Sequence, residues 1–170
     1  KTPKILQLLS QGKSVALLSD AGTPLISDPG YWLVQQARKN FINVIPIPGC
    51  CAAVAALTVS GIATDKFYFH GFLPSNELAQ IRELSTLALR KETLIFYESV
   101  HRLQSTIGHM IEIFEGDRKA IVCKEITKLH ESYLGENLSN IDEFIKRHPK
   151  KIRGEFTIII DGNKQEQAKI

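Results

Sequence analysis

The sequence predicts an α/β fold in two lobes. Short apolar runs alternate with helix-period stripes, a small-residue loop separates one such run from a proline-started helix, and the pattern changes character near residues 70–75. The first lobe is expected over residues 1–72 as a parallel-sheet domain, the second over residues 73–170 as a mixed-sheet domain.

Thr2 and Pro3 open an amphipathic helix with Ile5, Leu6, Leu8 and Leu9 inward, ending near Gly12. Val15, Ala16, Leu17 and Leu18 are continuously apolar and too few for a helix, the pattern of a strand buried on both faces. From Ser19 to Gly30 runs Ser-Asp-Ala-Gly-Thr-Pro-Leu-Ile-Ser-Asp-Pro-Gly. Gly22 there permits close backbone approach to a ligand, and Thr23 and Ser27 bring hydroxyls. Asp28 is expected to cap a helix starting at Pro29, which has no amide proton to leave unpaired. A helix near 30–39 and a strand at 42–47 complete a β-α-β unit with a right-handed crossover. In open α/β sheets ligands collect at the carboxyl ends of strands, where the 19–30 loop would lie.

Pro48 and Gly49 then turn the chain into a small-residue helix, Cys50 to Val59, closed by Gly61. Residues 67–72 read as a strand or hinge. A helix with Leu78, Ile81, Leu84 and Ala88 inward precedes a strand from Thr93 to Tyr97. The next helix carries Leu103, Ile107, Met110, Ile111 and Phe114 on one stripe. Strands at 119–126 and 132–135, a helix at 138–147 and a strand from Phe156 to Asp161 finish the pattern.

With 21 Lys and Arg against 18 Asp and Glu, the net charge is +3, so any nucleic-acid site must come from local clustering. Hydrophobic residues make up 44%, in runs too short to span a bilayer. Three cysteines, Cys50 and Cys51 adjacent, provide neither a disulfide framework nor metal-ligand spacing, and the five histidines show no ligand spacing either. A reducing cytoplasm is the expected compartment, with no membrane partner.

Three segments carry candidate chemistry. If Lys124 to Lys128 is extended, Lys124, Ile126 and Lys128 share one face and Glu125 and Thr127 the other, a strand end able to bind a phosphate and orient a hydroxyl; the alternative is a lysine-protected edge strand. Arg102 could bind an RNA phosphate or a cofactor's carboxylate, although its spacing from Glu98 favours an ion pair; Ser99 is the expected helix cap, and His101 has no visible partner. The run from Lys146 to Arg153, with Lys146, Arg147, Lys150 and Lys151, is the dense basic segment, an RNA anchor or a solvated turn.

The 19–30 string resembles the signature loop of the tetrapyrrole methylase superfamily, and within it the ribosomal RNA small subunit methyltransferase I family. Further matches follow in order: Pro46-Ile47-Pro48-Gly49 with Cys51-Ala52-Ala53, Gly71-Phe72-Leu73-Pro74, Leu94-Ile95-Phe96-Tyr97-Glu98-Ser99 with His101-Arg102, and Lys124-Glu125-Ile126-Thr127-Lys128 with Glu131. Two positions depart from the family: Cys50 replaces a usual proline, and residues 75–80 lack a basic cluster. Family members begin with an extra strand and loop, so the chain is expected to lack the first part of its N-terminal domain.

The resemblance implies an S-adenosylmethionine-dependent methyltransferase acting on a ribose 2′-hydroxyl of 16S ribosomal RNA in the small subunit, working as a homodimer. It assigns the methyl donor to Asp20, Ala21, Gly22 and Thr23 on one wall, Cys51 and Ala52 on another, and Tyr97, Gly154 and Glu155 in the second lobe. Lys124, Glu125 and Lys128 become the catalytic candidates. Methylation of a tetrapyrrole precursor, and a non-catalytic module binding S-adenosylmethionine or a nucleotide, stay open as alternatives.

Overall fold

A computed structural model of the protein describes residues 2–164. They fall into two compact units that divide between Cys51 and Ala52.

The second unit is built on a five-stranded mixed sheet in the order β1-β2-β5-β3-β4. Its strands are β1 (Phe67–Phe72), β2 (Thr93–Ser99), β3 (Ala120–Lys124), β4 (Ser132–Leu134) and β5 (Glu155–Ile160). β1 runs parallel to β2, and every other neighbouring pair is antiparallel. Because side chains alternate along a strand, two faces are separated. Leu94, Phe96, Ala120, Val122, Phe156, Ile158 and Ile160 point into the main core with α4 (Glu77–Leu87), α5 (Leu103–Phe114) and α6 (Leu138–Arg147). The short helix α3 (Ala52–Val59) packs on β2 and β5, burying Ala53, Ala56 and Leu57.

Each helix here follows from its stripe and its caps. In α5, Leu103, Ile107, Met110 and Phe114 recur at helical spacing and are all buried, as expected, with Ile111 only partly covered. In α4 the buried stripe is Gln80, Leu84 and Leu87, whereas Leu78 is exposed, so the expected stripe keeps Leu84 and rotates by about a quarter turn. Gln80 tolerates burial because its amide donates to Thr106 Oγ1 and accepts from His109. Asn76 caps α4 by accepting from Ala79 N, and Asn137 caps α6 by accepting from Asn140 N.

The division at 51/52 differs from the 72/73 boundary read from the sequence. β1 is hydrogen-bonded to β2, and α3 packs on the same sheet, so both belong with the residues that follow them.

The first unit holds α1 (Thr2–Ser10) and α2 (Tyr31–Lys39). The strands expected at 15–19 and 42–47 are not formed among the described residues: no ladder partner pairs with either, and Val15, Leu17, Leu18, Val44, Ile45 and Ile47 are exposed. A strand is defined by its ladder, and an apolar run without one leaves its backbone groups to water. The helix start also differs. Gly30, at φ 136°, is the N-cap of α2, and Asp28 makes no capping bond. Adding a Cβ at Gly30 would crowd Leu17 and Leu25.

Candidate functional site

Sheet register gathers the candidate residues of the second unit at one edge. β2 and β3 end there and β5 begins there, so Tyr97 and Cys123 flank Thr157, Glu98 and Lys124 flank Phe156, and Ser99 pairs with Glu155. This is the carboxyl edge of the parallel pair β1 and β2, the place where α/β sheets receive ligands.

Tyr97 ties α3 to that edge. Its hydroxyl accepts from Ala53 N at 3.1 Å, one of the first-turn amides that a helix cannot pair internally. Its ring meets Phe69 at 5.0 Å and Phe72 at 5.7 Å, both edge-on.

The segment after β3 does not run on as a strand. Glu125 at φ 50° and Thr127 at φ 65° are left-handed, and Lys128 N donates to Glu125 O at 2.9 Å, closing a turn. The alternation expected for Lys124 to Lys128 is therefore replaced by a fold-back that puts Lys128 beside Glu125. Lys128 Nζ donates to Glu155 Oε2 at 2.8 Å and to Glu125 Oε1 at 3.3 Å. Glu155 N donates to the same Glu125 oxygen at 2.8 Å, while Glu125 N donates to Glu155 O at 2.9 Å. Gly154, at φ 91°, must be glycine here on two counts, because a Cβ would also collide with the Glu125 carboxylate. Thus Glu125, Lys128, Gly154 and Glu155, from two distant segments, form one cluster.

The cluster's electrostatics follow from these bonds. The Glu155 amide, with help from Lys128, holds the Glu125 carboxyl below its ordinary range. Bonding to Glu155 raises Lys128 and keeps it an ammonium. Glu131 fixes the far side of the turn. It accepts from Thr127 N at 2.6 Å and from the Tyr133 hydroxyl at 2.6 Å, which pushes Tyr133 up to about 12. Cys123 is buried, and burial pushes its thiol to about 12, so it is no nucleophile.

Arg102 makes the ion pair with Glu98 that its spacing favoured, with its side chain 26% exposed. Its Nη2 pairs with Glu98 Oε1 at 2.8 Å, and its Nη1 donates to Leu73 O and Pro74 O at 3.1 and 3.2 Å. The Glu98 side chain is 0% exposed and also accepts from Thr106 Oγ1 and Ser99 N. Ser99 is consequently not the cap of α5; that position is Arg102, without a side-chain capping bond.

In the basic run, Lys146 pairs with Asp142 and Arg147 with Glu143, one helical turn back. Lys150 and Lys151 lie exposed in a 3₁₀ turn (Pro149–Lys151), with Lys151 over the Phe144 ring. That turn ends four residues before Glu155, at the same end of the sheet.

Within the first unit the signature loop folds onto the 49–50 turn. Thr23 Oγ1 donates to Cys50 O at 2.9 Å, and a Cβ on Gly22 would sit 3.4 Å from that carbonyl. Ser19 Oγ donates to Gly22 O at 2.8 Å, and Asp20 and Ala21 are exposed. Phe69 and Phe72, and the bonds from Thr106 to Glu98 and from Arg102 to the carbonyls of Leu73 and Pro74, carry no signal in spacing alone. The Gly-Phe-Leu-Pro string was the available signal for Phe72.

Residues 3–142 match the family described as Tetrapyrrole (Corrin/Porphyrin) Methylases. Ribosomal RNA small subunit methyltransferase I of Pasteurella multocida (strain Pm70) is 46% identical over 171 residues, covering 100% of the chain and 61% of that protein. The protein of the same name from Haemophilus influenzae is 44% identical, covering 93% of the chain and 56% of that relative. The chain therefore spans about three-fifths of the length of these curated relatives. Among solved structures, the methyltransferase CobJ superposes with a TM-score of 0.68 at 16% identity, covering 95% of the chain and 70% of that structure. Uroporphyrin-III C-methyl transferase from Thermus thermophilus, complexed with S-adenyl homocysteine, gives 0.58 at 16% identity, covering 94% and 71%. On this sequence match and this shared α/β fold, the chain belongs to the tetrapyrrole methylase family.

Proposed function

We propose that the chain is part of an S-adenosylmethionine-dependent methyltransferase that modifies a ribose 2′-hydroxyl of small-subunit ribosomal RNA, in the cytoplasm and as a homodimer. The observation that carries this reading is the convergence of Tyr97, Glu125, Lys128, Gly154 and Glu155 at one sheet edge, in a chain 46% identical to a relative named ribosomal RNA small subunit methyltransferase I.

The residues suit the donor. Asp20 offers an exposed carboxylate to a ribose diol, and Gly22, Thr23, Cys51 and Ala52 are small enough to leave backbone groups within reach of a ligand. In the second unit Gly154 opens the backbone beside Glu155, and Tyr97 holds the start of α3 in place. S-adenosylmethionine, when bound, supplies an electrophilic methyl group.

The roles of the chain's own side chains follow from their protonation. Lys128, kept as an ammonium, binds an RNA phosphate, aided by Lys124 and by Lys146, Arg147, Lys150 and Lys151 at the same end of the sheet. Glu125 holds Lys128 in position. A carboxylate below its ordinary range is a weak base, which is sufficient here: once the new C–O bond forms, the oxygen is strongly acidic and gives up its proton to Glu125 or to water. Most of the rate then comes from alignment of oxygen, methyl and sulfur.

The test is to incubate the full product of the gene with labelled S-adenosylmethionine and small subunits lacking the modification, then analyse RNA fragments by mass spectrometry. Label on a ribose 2′-oxygen is expected. Absence of label in RNA, with transfer to a tetrapyrrole precursor or to nothing, overturns the reading.

A further inference from the structure

We propose that Phe72 is a stacking platform for a nucleobase of the RNA substrate, an assignment that rests on the RNA methyltransferase reading above. β1 pairs with β2 as Phe69 with Ile95 and then Gly71 with Phe96, so His70 is an extra residue in the strand. In an uninterrupted register Gly71 would sit beside Tyr97, and Phe72 would fall on the face packed by the main core. A one-residue slip moves a side chain to the opposite face of a sheet. The bulge therefore delivers Phe72 to the α3 face, in register with Tyr97, at the carboxyl edge that carries the candidate site. Its ring stands 5.7 Å from the Tyr97 ring, and the residue remains 52% exposed.

The backbone on both sides of Phe72 is fixed. Gly71, at φ 79°, takes the conformation the bulge needs. On the other side Arg102 grips the carbonyls of Leu73 and Pro74, and Arg102 is itself anchored on the buried Glu98 carboxylate. A buried ion pair adds little stability compared with apolar packing of the same volume, yet it holds its partners in one geometry. Here the geometry held is that of the two residues after an exposed aromatic ring.

The occupant follows from the surroundings. Lys150 and Lys151 lie exposed in the turn four residues before Glu155, the first residue of β5 at this edge, and supply cations for a phosphate backbone while an aromatic face takes a base. An unstacked base of single-stranded RNA offers a flat ring to a half-exposed phenyl group without hydrogen-bond readout.

The experiment uses the full gene product and the variants Phe72→Ala, Phe72→Leu and Phe72→Trp. KM for small subunits lacking the modification, Kd for S-adenosylmethionine, and Tm are measured for each. Loss of stacking in the Ala and Leu variants should raise the subunit KM by roughly 5- to 100-fold, with the Trp variant close to wild type and S-adenosylmethionine affinity unchanged in all three. Wild-type behaviour of Phe72→Leu overturns the proposal, since the ring then serves only as apolar bulk. A shift in S-adenosylmethionine affinity without a change in subunit KM overturns it as well, by assigning the ring to the donor. If the wild-type protein transfers no methyl group to subunits, the function reading fails on its own. Binding of a single-stranded RNA oligonucleotide to the same variants then decides the platform, and equal affinities reject it.

Discussion

Residues 2–51 and residues 52–164 carry similar apolar patterns and put them to different use. In the second region Leu84, Phe96, Leu103, Ile107, Met110 and Ile158 are all completely buried. In the first, Ala37 is the one hydrophobic residue in the buried set among the described residues, while Leu18 is 86% exposed and Phe41, Ile45 and Ile47 also face solvent. The difference lies in pairing. Every strand of the second region has a ladder partner and a helix layer, whereas residues 15–18 and 42–47 have no ladder among the described residues. An apolar run is a necessary condition for a buried strand, and the partner is the sufficient one. Within the first unit the signature loop at 19–23 is held by local bonds, Ser19 to Gly22 and Thr23 to Cys50.

The comparison breaks most visibly at the buried ion pair. Glu98→Ala leaves Arg102 with an unpaired charge in the second region and should cost about 3–5 kcal/mol of unfolding free energy, read from urea denaturation. A cost below about 1 kcal/mol would mean that water reaches the pair and that the second region is less closed than described. Next in size is a matched pair of truncations. Ile107→Ala should cost about 2–5 kcal/mol, and Leu18→Ala should stay within about 0.5 kcal/mol. Equal costs would contradict the contrast between the regions.

A smaller effect sharpens the picture at the sheet edge. Glu125 has a lowered folded-state pKa, so its contribution to stability is present above the ordinary carboxylate value and is lost as pH falls through the lowered one. The stability gap between wild type and Glu125→Gln should therefore close below about pH 4. A gap unchanged down to pH 2 would show that the carboxylate is not held by the Glu155 amide.

Much of the second region was legible in the sequence because its signals are local. The stripe of α5, the bounds of α6 and the β2 run all follow from spacing within a dozen residues. Cases that depend on distant partners were not legible. Nothing local says that Lys128 meets Glu155, or that Gln80 can be buried because Thr106 and His109 receive it. The left-handed turn at Glu125 was also hidden, since a glutamate gives no warning of positive φ and the turn is held by Glu155 and Glu131 from elsewhere in the chain. The Glu98 to Arg102 pair was visible from spacing, but the carbonyls of Leu73 and Pro74 that complete it were not.

The central claim is that the carboxyl edge of the second region carries the chemistry, with Lys128 as its fixed cation. The direct measurement is kcat/KM for small subunits lacking the modification, by the full gene product carrying Lys128→Met, with Tm recorded alongside. A fall in kcat/KM of roughly 10- to 100-fold with Tm unchanged is the predicted result. A kcat/KM equal to wild type would contradict the account and move the RNA-binding cation away from this edge.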